Sequence, residues 1–396
     1  MSFLGYQRAD GSVGIRNYVL VLPGGLISSK ICEFVTGTRT IVTADIGSGR
    51  TSRDRETITR ILAGLGRNPN VAGVIVHGVS PSTGYPELGM EKLASQIAES
   101  RKPVEFINPR KYPDNLQVIE KGIRIARQMV HDTSKVRREL VEDSNLSIAV
   151  KCGRSDATSG LAGNPVMGYL FDKVVAAGGT ALFGETTEII GAEHLVAKRA
   201  VNKEVSQALI SAVLAVEERA KQSGEDIRTI NPVPSNITGG ITTLEEKSIG
   251  AIRKAGTSPI QGVLKYGEIP KGKGLYFVDN WMTQMSIFLG YAAAGSTLLL
   301  YQMGGGGMLY DTLLSPSPGV VAPLLWATAN RTAYQVAKES VDFYSGTVIE
   351  GKESIEEAGE RLFSLAKDIA SGTMTKVETI NYTDPVQMYL LDTPFY

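Results

Sequence analysis

Short apolar runs alternate with helix-patterned stretches through the first third of this chain, and that alternation restricts the fold more than any other feature. Tyr18 to Leu22, Thr40 to Ala44, Val71 to Val76 and Val104 to Ile107 are each rich in β-branched residues and bounded by Gly, Pro or Asn, the pattern of strands buried on both faces. Between them, Asp54 to Gly66, Glu87 to Ser100 and Asn115 to His131 place apolar residues at helical spacing. Strand and helix at this interval predict an α/β fold whose parallel sheet is covered on both faces. The segment Asp132 to Asn145 is rich in charge and poor in core residues, and reads as a helix end and linker. The expected organisation is a Rossmann-like α/β domain over 1–140 followed by a larger α/β catalytic domain over 141–396.

A second series opens with a strand at Leu146 to Val150, which runs into the loop KCGRSDATSGLAGNP, where Pro165 starts a helix reaching Ala176. A strand at Thr180 to Phe183 leads into GETTEIIGAEH, a helix through Arg199 and another from Val205 to Gln222. Gly262 to Tyr266, Gly274 to Val278, Thr297 to Gln302 and Pro323 to Trp326 are further strand candidates, and Ser354 to Ala370 is an amphipathic helix with an irregular tail after it. The most apolar stretch, Ser286 to Met303, carries Gly290, Gly295 and polar residues, so it reads as a buried helix and strand instead of a membrane span.

Lys plus Arg and Asp plus Glu both total 41 in 396 residues, with no block of like charge, which argues against nucleic-acid and membrane partners and for small molecules or other subunits. The two cysteines, Cys32 and Cys152, make no paired framework, and MSFLGYQRADG has no basic-then-apolar leader, so a cytoplasmic location is expected.

Ligands of parallel α/β sheets sit beyond the carboxyl ends of the strands, where helix N-termini face outward. Four strand-end loops have unusual chemistry. KCGRSDATSGLAGNP offers Cys152, Arg154, Ser155, Asp156, Ser159 and Asn164, a composition able to wrap a polyhydroxylated or anionic ligand, or simply to satisfy itself. GETTEIIGAEH places Glu185, Glu188, Glu193 and His194 just after a strand, which suits a divalent metal or acid–base work, with helix capping as the structural alternative. NITGGITTLEEKSIG brings Thr242, Thr243 and Lys247, either to hold a carboxylate or as a capped helix in which Glu245 reaches back. MGGGG at Met303 to Gly307 permits close backbone approach to a substrate and is neither a Walker loop nor a dinucleotide fingerprint.

Taken together, GYQRADGSVGIRNYV, GRNPNVAGVIV, KCGRSDATSGLAGNP, FGETTEIIGAEH, GGITTLEEKSIG and GLYFVD resemble the blocks of the altronate and galactarate dehydratase family, which includes the sulfolactate sulfo-lyase large subunit. The resemblance implies a lyase that removes the C2 proton of a hydroxy acid and expels the C3 group as water or sulfite, with a divalent cation (Fe2+, or Mn2+ or Mg2+) spreading the enolate charge. It implies Cys152, Asp156, Lys247 and Glu188 as catalytic residues, Glu185, Glu188 and His194 as metal ligands, and Arg16 as a substrate-carboxylate partner. It also implies a small antifreeze-like-domain subunit and a homo-oligomer. The sequence departs from the dehydratases at DIGSGRTS and HGVSPSTG, where two family cysteines are missing, leaving too few thiolates for a cubane cluster. Gly49-Arg50 in the first of these loops is similar to the sulfo-lyase pattern, which adds Arg50 to the substrate-binding candidates. Sugar-acid dehydration is the leading expectation, with sulfite elimination or a catalytically silent sugar-acid-binding subunit as alternatives.

Overall fold

The protein is described by a computed structural model covering residues 2–43, 49–78, 89–305, 319–380 and 385–392. In chain order its strands are β1 (Ser2–Gln7), β2 (Val13–Gly14), β3 (Tyr18–Leu22), β4 (Thr38–Thr40), β5 (Val71–His77), β6 (Val104–Ile107) and β7 (Glu139–Glu142). These are followed by β8 (Ser147–Gly153), β9 (Thr180–Phe183), β10 (Ile260–Leu264), β11 (Gly274–Val278), β12 (Leu298–Met303), β13 (Leu324–Thr328) and β14 (Phe343–Tyr344). Strands β3 to β6 form a parallel sheet in the order β4-β3-β5-β6, and β8 to β14 a larger parallel sheet in the order β10-β11-β9-β8-β12-β13-β14. The expected α/β class with parallel sheets is what forms, because these strands are apolar on both faces and can only be covered by helices.

Most predicted elements fall within a few residues of the observed ones; Ala44 and Glu87, at the ends of two of them, lie outside the described residues. Two expectations are corrected. The segment taken as a linker contains β7, and the N-terminal residues form β1 and β2, giving a small antiparallel sheet in the order β2-β1-β7. These strands are half solvated and short, so no continuous apolar run announces them. Arg16, expected to meet a substrate carboxylate, is instead spent inside the fold. It grips Glu378 with Nε and Nη2, both at 2.7 Å, and donates to the carbonyls of Ile15, Ile369 and Thr373. All five guanidinium donors are used, so none is left for a ligand.

The two parallel sheets share one core. Leu20, Ile61 and Val76 of the first belong to the same buried cluster as Tyr266, Phe288 and Leu299 of the second. The helix Ser52–Arg67 packs along the helix Gln284–Ala293 so closely that a Cβ on Gly64 would lie 2.2 Å from the Ala293 carbonyl oxygen. Asn68 and Asn70 lock the contact from below: their amides donate to the carbonyls of Ala292, Ser296, Thr297 and Val321 at 2.8–3.0 Å.

The tail 385–392 crosses this junction. Val386 donates to the Val42 carbonyl at 2.8 Å, while Leu391 and Asp392 donate their backbone amides to the buried carboxylate of Asp54 at 3.0 and 3.2 Å. Asp392 in turn accepts from Thr51 and pairs with Arg53, and its carbonyl accepts from Arg50 at 3.3 Å. The tail thereby fastens the loop that carries Arg50. Asp54→Ala, which strands two amides that now reach a charged acceptor, should destabilise the protein by about 2–3 kcal/mol in urea unfolding. It should also make 385–392 the first site of limited proteolysis; unchanged protease sensitivity would mean that burial of Val386 and Met388 holds the tail by itself.

Candidate active site at the carboxyl edge of the large sheet

Strand β8 is apolar to Val150 and then turns polar while still buried, so Lys151 and Cys152 end it at 3% and 2% exposure. The chain leaves β8 for β9 on one side and returns much later to β12 on the other. A crevice opens at such a reversal of strand order. Gln302 of β12 is in register with Cys152, and Glu185 follows β9 by two residues, so all three lie along one edge of the sheet.

The centre of this edge is the Glu185 carboxylate, which is fully buried. Its Oε1 lies 3.1 Å from Lys151 Nζ, and its Oε2 accepts from Lys254 Nζ and, at 3.1 Å, from the Cys152 amide. Lys254 Nζ also lies 3.1 Å from Cys152 Sγ. Burial by itself would raise the Glu185 pKa, but Lys151 and Lys254 outweigh it and hold the group below its ordinary 4.5. Burial works against both ammoniums too. The negative groups around them, Glu185 and Glu188 among them, more than compensate and keep Lys151 and Lys254 above the ordinary 10.5. Burial and Glu185 push the Cys152 thiol up, so it stays a thiol. Glu185 (φ 67°) and Arg154 (φ 50°) both adopt left-handed backbone conformations that side chains disfavour, in the two loops flanking this edge.

A second ammonium–carboxylate pair adjoins the first. The helix Leu244–Ile252 buries Leu244, Lys247, Ser248 and Ala251 on one face. Lys247 Nζ lies 3.3 Å from Glu188 Oε1 and donates to the side-chain carbonyls of Asn231 (2.7 Å) and Asn236 (3.0 Å). Asn236 ties this group to the β8 loop by donating to the Ser155 carbonyl at 2.9 Å. Thr242 and Thr243 cap the helix on its exposed side. Glu246, and not Glu245 as expected, reaches back to Thr242, while Thr243 Oγ1 accepts from the Glu246 amide.

Asp156 organises the β8 loop. One oxygen accepts from Thr158 Oγ1, Ser159 N and Ser159 Oγ at 2.7–3.1 Å; the other accepts from Gly305 N at 2.7 Å and Asn330 Nδ2 at 2.8 Å. The glycine run is therefore needed for a contact within the protein. A Cβ on Gly304 would lie 2.3 Å from the Arg154 carbonyl oxygen, and one on Gly305 at the same distance from Asn330 Nδ2. This corrects the expectation that Met303 to Gly305 serve substrate contacts; Gly306 and Gly307 lie outside the described residues. Asn164 donates to the Gly250 carbonyl at 2.9 Å, but its Oδ1, Gln302 Oε1 and Glu188 Oε2 are buried without a hydrogen-bond partner among the described residues. Buried acceptors without a partner call for an explanation, a bound group or water among them.

The structure thus brings Cys152, Ser155, Asp156, Glu185, Glu188 and Lys247 together and leaves His194 outside. His194 is exposed on the short helix Glu193–Ala197. The expected metal set of Glu185, Glu188 and His194 is not assembled, and no group of three or more His, Cys, Asp or Glu suited to a metal occurs among the described residues. Both oxygens of Glu185 face ammonium groups, which would repel a dication. These residues do not fit a divalent metal. On the first sheet, His77 ends β5 with Nε2 2.7 Å from Ser28 Oγ, and burial drags its pKa down to about 4, so it is neutral near pH 7.

Lys254 escaped the sequence reading. It lies seven residues after Lys247, about two helical turns on, in the 3-10 turn Arg253–Ala255 that follows the helix, and that spacing was a signal available in the sequence. Glu185→Gln would leave two buried ammoniums without their counter-charge and should lower stability by about 3–5 kcal/mol near pH 7. The carboxylate's contribution is present above pH 4.5 and is lost as pH falls through its depressed folded value. Wild type and variant should therefore converge in acid unfolding but not between pH 6 and 9; curves that stay parallel down to pH 2 would overturn the ion-pair account.

Comparison with known proteins places this geometry. Residues 143–391 match the D-galactarate/altronate dehydratase C-terminal family, and residues 5–134 match the second domain of D-galactarate dehydratase/altronate hydrolase. The chain is 35% identical to the (2R)-sulfolactate sulfo-lyase subunit beta of Chromohalobacter salexigens, over 97% of this chain and 96% of that one. It is 29% identical to altronate dehydratase of Bacillus subtilis, over 97% of this chain and 76% of that one. With galactarate dehydratase (L-threo-forming) of Escherichia coli the identity is 28%, over 94% of this chain and 73% of that one. By both family matches and by full-length identity, the chain belongs to the D-galactarate/altronate dehydratase family.

Proposed function

We propose that the chain is a lyase that eliminates an anionic group β to the carboxylate of a 2-hydroxy acid, with sulfite from a sulfolactate as the favoured leaving group. The observation that carries this reading is the pair of buried ammoniums, Lys151 and Lys254, sharing the single carboxylate of Glu185. The pair holds one positive charge more than its counter-charge, in a place where low dielectric strengthens its pull on an anion. Elimination creates an enolate-like intermediate beside the substrate carboxylate. Preorganised ammoniums stabilise that charge without reorganising at the moment of reaction. They occupy the role first expected of a metal.

The leaving group follows from the same residues. Hydroxide departs only with a proton, which asks for an acid beside C3. Asp156, expected among the catalytic residues, has both oxygens engaged by five donors, three from its own loop and two from Gly305 and Asn330, and serves as a structural anchor. Sulfite needs no proton to leave. It needs a second cationic contact, for which Arg154, on the same loop, and Arg50, held by the tail, are the candidates. Water loss from altronate or galactarate is the second reading, favoured by the dehydratase relatives. The subunit beta relative is matched nearly end to end, whereas about a quarter of each dehydratase lies outside the match. That difference supports a small partner subunit for this chain.

The test is an assay of 3-sulfolactate, altronate and galactarate for 2-keto acid, with sulfite measured in parallel. Stoichiometric sulfite and 2-keto acid from sulfolactate is the expected result. Turnover of a sugar acid without sulfite would select the dehydratase reading, and binding of these acids without turnover would select a silent binding subunit.

A further inference from the structure

The geometry points to Glu188 Oε2 as the base that removes the C2 proton, with Lys247, Asn231 and Asn236 as the clamp that positions it. This assignment rests on the elimination reading above. Glu188 is 4% exposed, and its two oxygens differ in kind. Oε1 faces Lys247 Nζ at 3.3 Å, while Oε2 is buried and has no hydrogen-bond partner among the described residues. A buried carboxylate oxygen without a donor is costly, and a catalytic role is one of the few reasons for keeping it. Glu188 is close enough to raise the pKa values of Lys151, Cys152 and Lys254, so the open oxygen belongs to the same constellation as the anion-stabilising lysines.

Lys247 is the other candidate for the base, and its contacts argue against that role. Its ammonium is already directed at three acceptors, Glu188 Oε1, Asn231 Oδ1 and Asn236 Oδ1, and a group with three donors so committed has no lone pair to offer. The two asparagine carbonyls fix the ammonium, and the ammonium fixes the carboxylate plane, leaving Oε2 as the acceptor. Because Asn236 also donates to the Ser155 carbonyl at 2.9 Å, the clamp is registered to the β8 loop. In the step itself, Oε2 takes the C2 proton, and the C–H electron pair becomes the C2–C3 double bond. The C3–S bond breaks with its electron pair leaving on sulfite. The enol then gains a proton at C3 from solvent and releases its hydroxyl proton to solvent to give the 2-keto acid, and Glu188 returns its proton to solvent.

The experiment uses 3-sulfolactate carrying deuterium at C2, with altronate and galactarate as parallel substrates, on wild type, Glu188→Gln, Glu188→Asp and the Asn231→Ala/Asn236→Ala pair. Wild type should lose the label to solvent with a primary isotope effect. Glu188→Gln, which keeps the shape and the acceptor for Lys247, should lose about 10²–10⁴ in kcat, the usual contribution of a general base, with KM within about threefold and no label loss. Glu188→Asp should recover part of kcat. The asparagine pair should lower kcat per folded molecule about tenfold or more at nearly constant KM and enlarge the primary isotope effect, a change that loss of folded protein would not produce. Glu188→Gln with kcat within tenfold of wild type would overturn the assignment while leaving the lyase reading intact. Wild type inert toward all three acids would overturn the lyase reading, and this inference with it.

Discussion

Burying a carboxylate away from water is tolerable only when enough positive charge and enough hydrogen-bond donors go with it. At the carboxyl edge of the large sheet, Glu185 meets that condition with two lysines and a backbone amide, brought from the ends of β8 and from the turn that follows the helix Leu244–Ile252. The consequences spread outward. Cys152 is held beside Lys254, the β9 loop is kept in a left-handed bend at Glu185, and the side chain of Asn280 turns in to accept the Glu185 amide at 2.8 Å. The constellation is rigid because each member is also needed for another's charge balance.

In the proposed elimination, the same arrangement separates charge stabilisation from proton removal. Lys151 and Lys254, with one carboxylate between them, stay cationic. Glu188 has one oxygen tied to Lys247 and one without a hydrogen-bond partner among the described residues. Both groups lie at the edge where the strand order reverses between β8 and β12. The contrast between Asp156 and Glu188 is instructive. Both are buried acids in strand-end loops, yet one is saturated by five donors from three loops and the other keeps an oxygen without a hydrogen-bond partner among the described residues.

Around this centre, the small antiparallel sheet, the Arg16–Glu378 pair and the tail 385–392 bind the chain ends to the two parallel sheets. Arg16 shows how a polar residue near a conspicuous motif can be structural. Its partner lies 362 residues away, and nothing local in the sequence identifies it. The asparagines Asn68 and Asn70 are similar: ordinary turn residues by position, they weld the two sheets through carbonyls more than 220 residues distant.

The sequence by itself determined the class of fold, since apolar runs and helical periodicity depend only on neighbours. Val104–Ile107, Thr180–Phe183 and Gly274–Val278 are legible as strands from composition alone. It also singled out the strand-end loops in which Cys152, Glu185, Glu188 and Lys247 come together, because polar residues that stay buried at strand ends of a parallel sheet need a reason to be there. Only the tertiary structure decided which side chains meet. Cys152 and Lys254 are 102 residues apart, and Glu185 and Lys254 are 69 apart, so their pairing is set by strand order and helix packing and not by spacing. The same holds for what failed to assemble. His194 sits six residues after Glu188, yet it points to solvent, because a short helix buries Val196 and Ala197 and turns the imidazole away. Burial of a charge is a property of the assembled fold, and so the roles of these acids and lysines could be decided only there.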